Sequence, residues 1–278
     1  MNSRPGLKPK EYKSGVKPIW CPGCGHFSVL NAITKAFSAL GLEKKNTVIV
    51  SGIGCSSRLP AYIDSYGFHG VHGRALPVAT GLKVVRDDLT VIAVGGDGDG
   101  FSIGGNHFMH ACRRNVNIVY IAMDNEVYGM TKGQASPTTP ELWDHSKLTP
   151  HGPQVRPFQP CAVALSAGAG FIGRGYSGDP NGLAKMISEA IEFKGFAFIQ
   201  ALSQCITFCP EQKEWKDIVR EFDQPFTDDS VEAAMRLHGD DGFSKGVIYR
   251  KERPVWPPEP ATNVENIALD AVGAGFQL

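Results

Sequence analysis

The sequence has no excess of either charge: 28 Lys and Arg stand against 28 Asp and Glu in 278 residues. A chain without a net field has no general pull toward nucleic acid or anionic lipid, so neither is expected as a partner. No run of about 18 apolar residues occurs, and no membrane span is expected. Met1 to Ser14 is polar and basic and lacks the apolar stretch of a secretory signal, so a cytoplasmic location is expected. No internal repeat and no low-complexity tract interrupts the chain. Disulfides are not expected either. The seven cysteines are an odd number, and clustered thiols in a reducing compartment point to metal or redox chemistry.

What is present suits a layered fold. With 42% hydrophobic residues, the chain can bury one large core, with or without an extension. The 32 glycines and 19 prolines suit many strand-to-helix turns. Residues 1–19 read as an irregular arm. A helix is expected from about Gly25 to Gly41, because Phe27, Leu30, Ile33, Phe37 and Leu40 recur at steps of three and four. Gly41 can take the left-handed conformation that closes it. Short apolar strands are expected at Val48–Val50, Val91–Val94, Ile118–Met123 and Phe196–Ala201. Helices are expected from about Gly105 to Arg113 and from about Leu183 to Phe193. This alternation implies an α/β fold: a mostly parallel sheet covered by helices on both faces. Residues 20–210 form the expected core domain. Beyond Cys209 the chain becomes more charged and Pro-rich (Pro254, Pro257, Pro258, Pro260), and 211–278 read as an extension packed on the core or on a partner.

Ligands of such sheets sit at the carboxyl ends of the strands. Three strands here run into polar or glycine-rich turns: Ser51-Gly52-Ile53-Gly54-Cys55-Ser56-Ser57, Gly95-Gly96-Asp97-Gly98-Asp99, and Asp124-Asn125. One helix separates Asp97 from Asn125, so neighbouring strands would bring a carboxylate and an amide oxygen to a common point. Hard oxygen donors suit Mg²⁺, which fills its octahedron with phosphate and water. Glycine at 96 and 98 would let the backbone approach a diphosphate. The Gly104-Gly105 helix start could add free N–H groups. The plain alternative is an ordinary Gly/Asp turn, with Asn125 capping the next element.

Gly96-Asp97-Gly98 with Asn125 resembles the thiamine-diphosphate motif. The longer run GDGDGFSIGGNHFMHACRRN…DNEVYGMTKGQASPT resembles the β subunits of 2-oxoacid:ferredoxin oxidoreductases, and the likeness covers roughly residues 20 to 210. The resemblance implies that Asp97, Asn125 and the backbone carbonyl of Val127 hold Mg²⁺. It implies that Gly98, Asp99, Gly129 and Met130 line the diphosphate and thiazolium. Ile53, Gly54, Cys55, Ser56 and His72, the last within Val71-His72-Gly73-Arg74, match the remaining cofactor contacts, with His72 as a donor to the cofactor.

Cys21-Pro22-Gly23-Cys24, Cys55, and either Cys205 or Cys209 could supply four thiolates. By spacing alone these suit zinc or a [4Fe–4S] cluster equally. Cys55 shares its turn with the implied thiamine contacts, and zinc cannot accept an electron, so context favours the cluster. The resemblance agrees for Cys21, Cys24 and Cys55. It puts the fourth ligand at Cys205, while Cys209 falls where the family pattern has Asn. Cys112 and Cys161 read as buried apolar fillers. One cluster exhausts these ligands, so an external electron carrier is expected.

The resemblance implies oxidative decarboxylation of a 2-keto acid, with coenzyme A taking the acyl group and ferredoxin the electrons. No second strand-helix domain is present to bind the aminopyrimidine. A separate α subunit carrying the pyrimidine-binding and substrate domains is therefore expected, in an α2β2 assembly. Lys132, in Thr131-Lys132-Gly133-Gln134, could pair with the distal carboxylate of a dicarboxylic keto acid, and its context resembles enzymes that accept 2-oxoglutarate, with pyruvate next. A solvated loop lysine is the alternative. Arg58 falls where the family has a basic residue linked with coenzyme A; a surface ion pair is the alternative. His26, His107 and His110 read as structural. Two other readings of the whole chain stand beside this one. A non-redox thiamine decarboxylase or synthase would not need the cysteines, and a zinc-stapled scaffold would have no chemistry of its own.

Overall fold

The computed structural model describes residues 6–257. Residues 1–5 of the expected arm, and 258–278 of the expected extension with Pro258 and Pro260, lie outside the described residues. The architecture is three-layered: one mixed, mostly parallel sheet of eight strands between two helical layers. In chain order the elements are α1 (His26–Leu40), β1 (Thr47–Ser51), β2 (Tyr66–His69), α2 (Ala75–Val85), β3 (Thr90–Gly96), α3 (Gly105–Arg114), β4 (Val119–Asp124), β5 (Val127–Tyr128), β6 (Gln134–Ala135), α4 (Pro160–Ser166), β7 (Phe171–Tyr176), α5 (Pro180–Glu192), β8 (Ala197–Leu202), α6 (Trp215–Ile218), β9 (Arg220–Glu221), α7 (Ser230–Gly239) and β10 (Ser244–Arg250). The sheet order is β2-β1-β3-β4-β8-β7-β10-β9, and β5 with β6 forms a separate hairpin.

The central strands are apolar runs because both their faces are covered. On one face Ile49, Ile92, Ile121, Met123 and Ile199 pack against Val29, Ile33 and Phe37 of α1 and Leu183 and Ile187 of α5. On the other, Val50, Val91, Tyr120, Ala122 and Phe198 pack under α2, α3 and α4 through Leu76, Phe108 and Ala164. Period-two alternation thus fixes which residues of β4 face each layer. The stripe expected on α1 is there: Leu30, Ile33 and Phe37 are buried. Gly41 closes the helix at φ 61°.

Strands β1, β3, β4 and β8 are parallel neighbours, with Ser51 paired to Val94, Gly96 to Met123, and Asp124 to Leu202. Their carboxyl ends therefore lie side by side. The N-terminal arm runs under α1, where Tyr12 is buried and its hydroxyl donates to the Leu42 carbonyl. It delivers Trp20, whose Nε1 donates to the Cys55 carbonyl at 2.6 Å. Edge strand β2 is exposed along its whole length, including Tyr66 and Phe68.

The segment 211–257 adds strands to the same sheet. β10 pairs antiparallel with β7, and β9 parallel with β10. A buried ion pair, Arg174 with Asp240, fastens this part to the core. Arg174 also donates to Gln200 Oε1 at 3.0 Å and to the Ser244 carbonyl at 3.0 Å. Among the described residues no helix is long and apolar enough to cross a membrane.

Removing one partner from a buried pair leaves an uncompensated charge, at a cost of about 3–5 kcal/mol. Arg174→Met is expected to lower unfolding stability by that amount, with the midpoint in urea falling accordingly. An unchanged midpoint would show that β10 is held without this pair.

Candidate functional site

Residues from the adjacent strand ends line a cavity of about 570 Å³, a volume suited to a cofactor. Ile53, Gly54, Cys55 and Ser56 line it from the loop after β1, and His72 from the loop before α2. Asp97, Gly98 and Asp99 line it from the turn after β3. Asn125, Val127, Gly129 and Met130 line it from the segment after β4. Every cofactor or Mg²⁺ contact expected from the sequence thus faces one space.

Asp97 and Asp124 are both buried. Thr138 Oγ1 lies 3.0 Å from Asp97 Oδ2 and 2.7 Å from Asp124 Oδ1. A hydroxyl has one proton to give, so it satisfies one carboxylate at a time. Burial, and after it the charge of Asp124, pushes Asp97 up to about 7. Asp124 itself is raised by burial, although it accepts from Gln200 Nε2 at 2.8 Å. Two buried carboxylates side by side repel one another, and a nearby cation would relieve both. Asp97 and the Asn125 amide supply the hard oxygens that Mg²⁺ takes, so the residues present fit the ion.

Asp99 has a different task from lining alone. Its Oδ1 accepts from the Ile53 N–H at 2.8 Å, the Gly73 N–H at 2.7 Å and His72 Nδ1 at 3.0 Å. One oxygen therefore ties the loop after β1 and the loop before α2 to the turn after β3. Burial raises the Asp99 carboxyl, and the three donors oppose that rise.

Gly98 has a further reason in the structure, and one detail differs from the sequence expectation. A Cβ on Gly98 would lie 2.1 Å from the Tyr128 ring. The helix start at Gly104-Gly105 is not part of the cavity wall. Residues Gly98–Ile103 form a π-helical turn first, so the N–H groups nearest the cavity belong to that turn.

A second cavity, of about 140 Å³, lies beside the first. Cys21, Cys24, Cys55 and Cys205 all line it; Cys209 does not. Cys209 packs behind Cys205, with Val127, Trp143 and Phe208. The Cys-x-x-Cys loop is docked by Gly25, whose N–H donates to the Gln204 carbonyl at 3.0 Å. A Cβ on Gly25 would meet Ser203 Oγ at 2.8 Å. Burial pushes Cys24 up to about 12 and Cys55 up to about 11, so their thiolates need a cationic partner. Among the described residues no three His, Cys, Asp or Glu side chains gather closely enough to hold a single metal ion. Cys55, Asn125, Gly129 and Met130 line both cavities.

Arg58 lines the cysteine cavity, half-buried, with its Nε donating to the Tyr62 hydroxyl at 3.3 Å. Lys132 is exposed at the β5–β6 turn, at φ 73°, and does not line the larger cavity. His26 lines that cavity, is bonded to Ser203 Oγ at 2.7 Å, and is lowered to about 4 by burial. His107 and His110 lie on α3 outside the site. Cys112 and Cys161 are buried fillers, Cys161 with its thiol on Gln200. Sequence reasoning placed Asp124 in the turn after β4 but gave no role to it, or to Thr138, Gln200 or Gln212. Of these, Asp124 at its strand end and Gln200, a polar residue inside the apolar run of β8, carried a signal.

Residues 52–201 match the family described as thiamine pyrophosphate enzyme, C-terminal TPP binding domain. The chain is 47% identical over 201 residues to 2-oxoglutarate oxidoreductase subunit KorB of Mycobacterium tuberculosis, covering 72% of this chain and 54% of that protein. It is 43% identical over 190 residues to 2-oxoglutarate synthase subunit KorB of Methanocaldococcus jannaschii, covering 68% and 70%. A solved structure, 2-oxoglutarate:ferredoxin oxidoreductase from Magnetococcus marinus with 2-oxoglutarate, coenzyme A and succinyl-CoA bound, superposes with a TM-score of 0.85 at 43% identity. That match covers 90% of this chain and 87% of the other. The chain thus spans about half the length of the mycobacterial relative.

Asp99→Ala is expected to strand the Ile53 and Gly73 amides, at about 1–3 kcal/mol for each buried donor. Hydrogen exchange at those two amides should accelerate; unaltered exchange would remove Asp99 as the tie between the loops.

Proposed function

The chain belongs to the thiamine pyrophosphate enzymes and, within them, to the β subunits of 2-oxoacid:ferredoxin oxidoreductases, and on that premise we propose that it is the cofactor-holding subunit of an enzyme converting 2-oxoglutarate to succinyl-CoA. In this reading it works with a separate α subunit in an α2β2 complex. It carries thiamine diphosphate, Mg²⁺ and one [4Fe–4S] cluster, and an external ferredoxin collects the electrons. The observation that carries the proposal is the wall of four residues common to the two cavities. It would set a redox centre directly beside the reacting cofactor.

Bound thiamine diphosphate supplies the carbanion chemistry. The chain's residues supply the rest. Asp97, Asn125 and the Val127 carbonyl would hold Mg²⁺ and through it the diphosphate. The backbone at Gly98 and Asp99 faces the same anion. Ile53, Gly54 and Ser56 form one wall, and Gly129 and Met130 another. His72 is oriented by Asp99, to which its Nδ1–H donates; its remaining ring nitrogen would accept from cofactor or substrate as the neutral ring and donate only as imidazolium. Cys21, Cys24, Cys55 and Cys205 would hold the cluster. Four thiols around the rim of a cavity suit an iron–sulfur cage better than zinc, which draws its sulfurs to about 2.3 Å from one point.

Arg58 stands by Cys55, where its charge favours the thiolate and where a coenzyme A phosphate could pair with it. Lys132 projects from the turn whose other residues, Thr131 and Gln134, line the cofactor cavity. From there its ammonium would meet the distal carboxylate of 2-oxoglutarate, and pyruvate would gain nothing from it.

Purified without oxygen, the complex is expected to hold about four irons per β chain. Asp97→Ala should abolish thiamine diphosphate binding and leave that iron content intact; equal loss of both would argue against separate sites. Lys132→Ala should lower kcat/KM for 2-oxoglutarate about tenfold more than for pyruvate, the loss of one charge-assisted contact. Equal effects on the two substrates would remove the substrate assignment.

A further inference from the structure

Beyond the last rung of the sheet, the backbones after β4 and β8 separate. The Ser203 N–H still donates to the Asp124 carbonyl at 2.7 Å. Past it, the Asn125 carbonyl and, two residues beyond Ser203, the Cys205 N–H make no backbone hydrogen bond. Gln212 fills the gap. Its Oε1 accepts from the Cys205 N–H at 2.7 Å, and its Nε2 donates to the Asn125 carbonyl at 2.9 Å. The side chain is buried. It comes from the short 3-10 helix Pro210–Glu214, which follows directly on the loop after β8. A primary amide has a donor and an acceptor at one end, as a peptide group does. Gln212 thus acts as an extra rung, made by a side chain, between two loops that have left the ladder.

Resting on the reading above, in which Asn125 serves the Mg²⁺–diphosphate site and Cys205 the cluster, we infer that Gln212 is a positioning residue that locks the two cofactor loops into one unit. Each loop carries its ligand on the residue whose backbone Gln212 grips. Groups behind a ligand typically set affinity by about 10–100-fold. Gln212 holds two such backbones at once, so its two hydrogen bonds should be separable by substitution.

Gln212→Glu keeps the acceptor for Cys205 and replaces the donor to Asn125 with an oxygen. In the complete complex, prepared without oxygen, this variant is expected to retain wild-type iron content. Its affinity for thiamine diphosphate with Mg²⁺, measured by calorimetry on thiamine-stripped protein, should fall about 10–100-fold. Gln212→Leu removes both bonds and should also alter the electron paramagnetic resonance signal of the reduced cluster. A residue that merely fills space would lose neither property in the Glu variant and would not separate the two. Wild-type diphosphate affinity in Gln212→Glu overturns the inference. Should that variant not fold, Gln212→Asn takes its place: a shorter neutral amide cannot span both backbones, so the same loss is expected and wild-type affinity again overturns the inference. A wild-type complex that binds no iron or no thiamine diphosphate refutes the parent reading instead.

Discussion

Four parallel strands whose carboxyl ends fall within about three residues of one another are the constraint on which the rest depends. Side chains buried on both faces hold β1, β3, β4 and β8 in register. A shift of one residue in β4 would exchange Ile121 and Tyr120 between the two helical layers. It would also move Asn125 out of line with Asp97. The core therefore fixes the site indirectly: apolar packing decides where the loops begin, and the loops decide which polar atoms meet.

The second layer of control is electrostatic. Asp97 and Asp124 are buried together, and a positive charge answering Asp124 from the protein side lies in Arg174, across the sheet on β7. It reaches Asp124 through Gln200, which accepts from Arg174 and donates to Asp124. Arg174 is in turn held by Asp240 and the Ser244 carbonyl. The C-terminal segment is thus wired to the floor of the cofactor cavity, although it contributes no residue to the wall. The arm before α1 does the same for the cysteine cavity through Trp20 and Cys55.

Much of this was legible in the sequence, for physical reasons. Central parallel strands are continuous apolar runs, so β1, β3, β4 and β8 stood out, and the turns that end them carry the polar residues of the site. The stripe on α1 was equally plain. Strand β7 was not, because FIGRGY carries two glycines and the buried Arg174 within its run. Strand β2 was missed because an exposed edge strand has no apolar signature. Strand β10 follows a charged stretch and joins the sheet only through tertiary pairing. Thr138 and Gln212 were beyond reach: each bridges a near and a far partner, 14 and 41 positions away for Thr138 and 7 and 87 for Gln212, and nothing local marks either residue as buried.

The exposed edge at β2 bears on how such a chain is made. Tyr66 and Phe68 flank an outer row of backbone groups with no neighbouring strand among the described residues. An unprotected edge of this kind is a template for further pairing. Synthesised in excess over any companion, the chain would tend to stick to copies of itself. Covering that edge is therefore a matter of solubility as much as of fold.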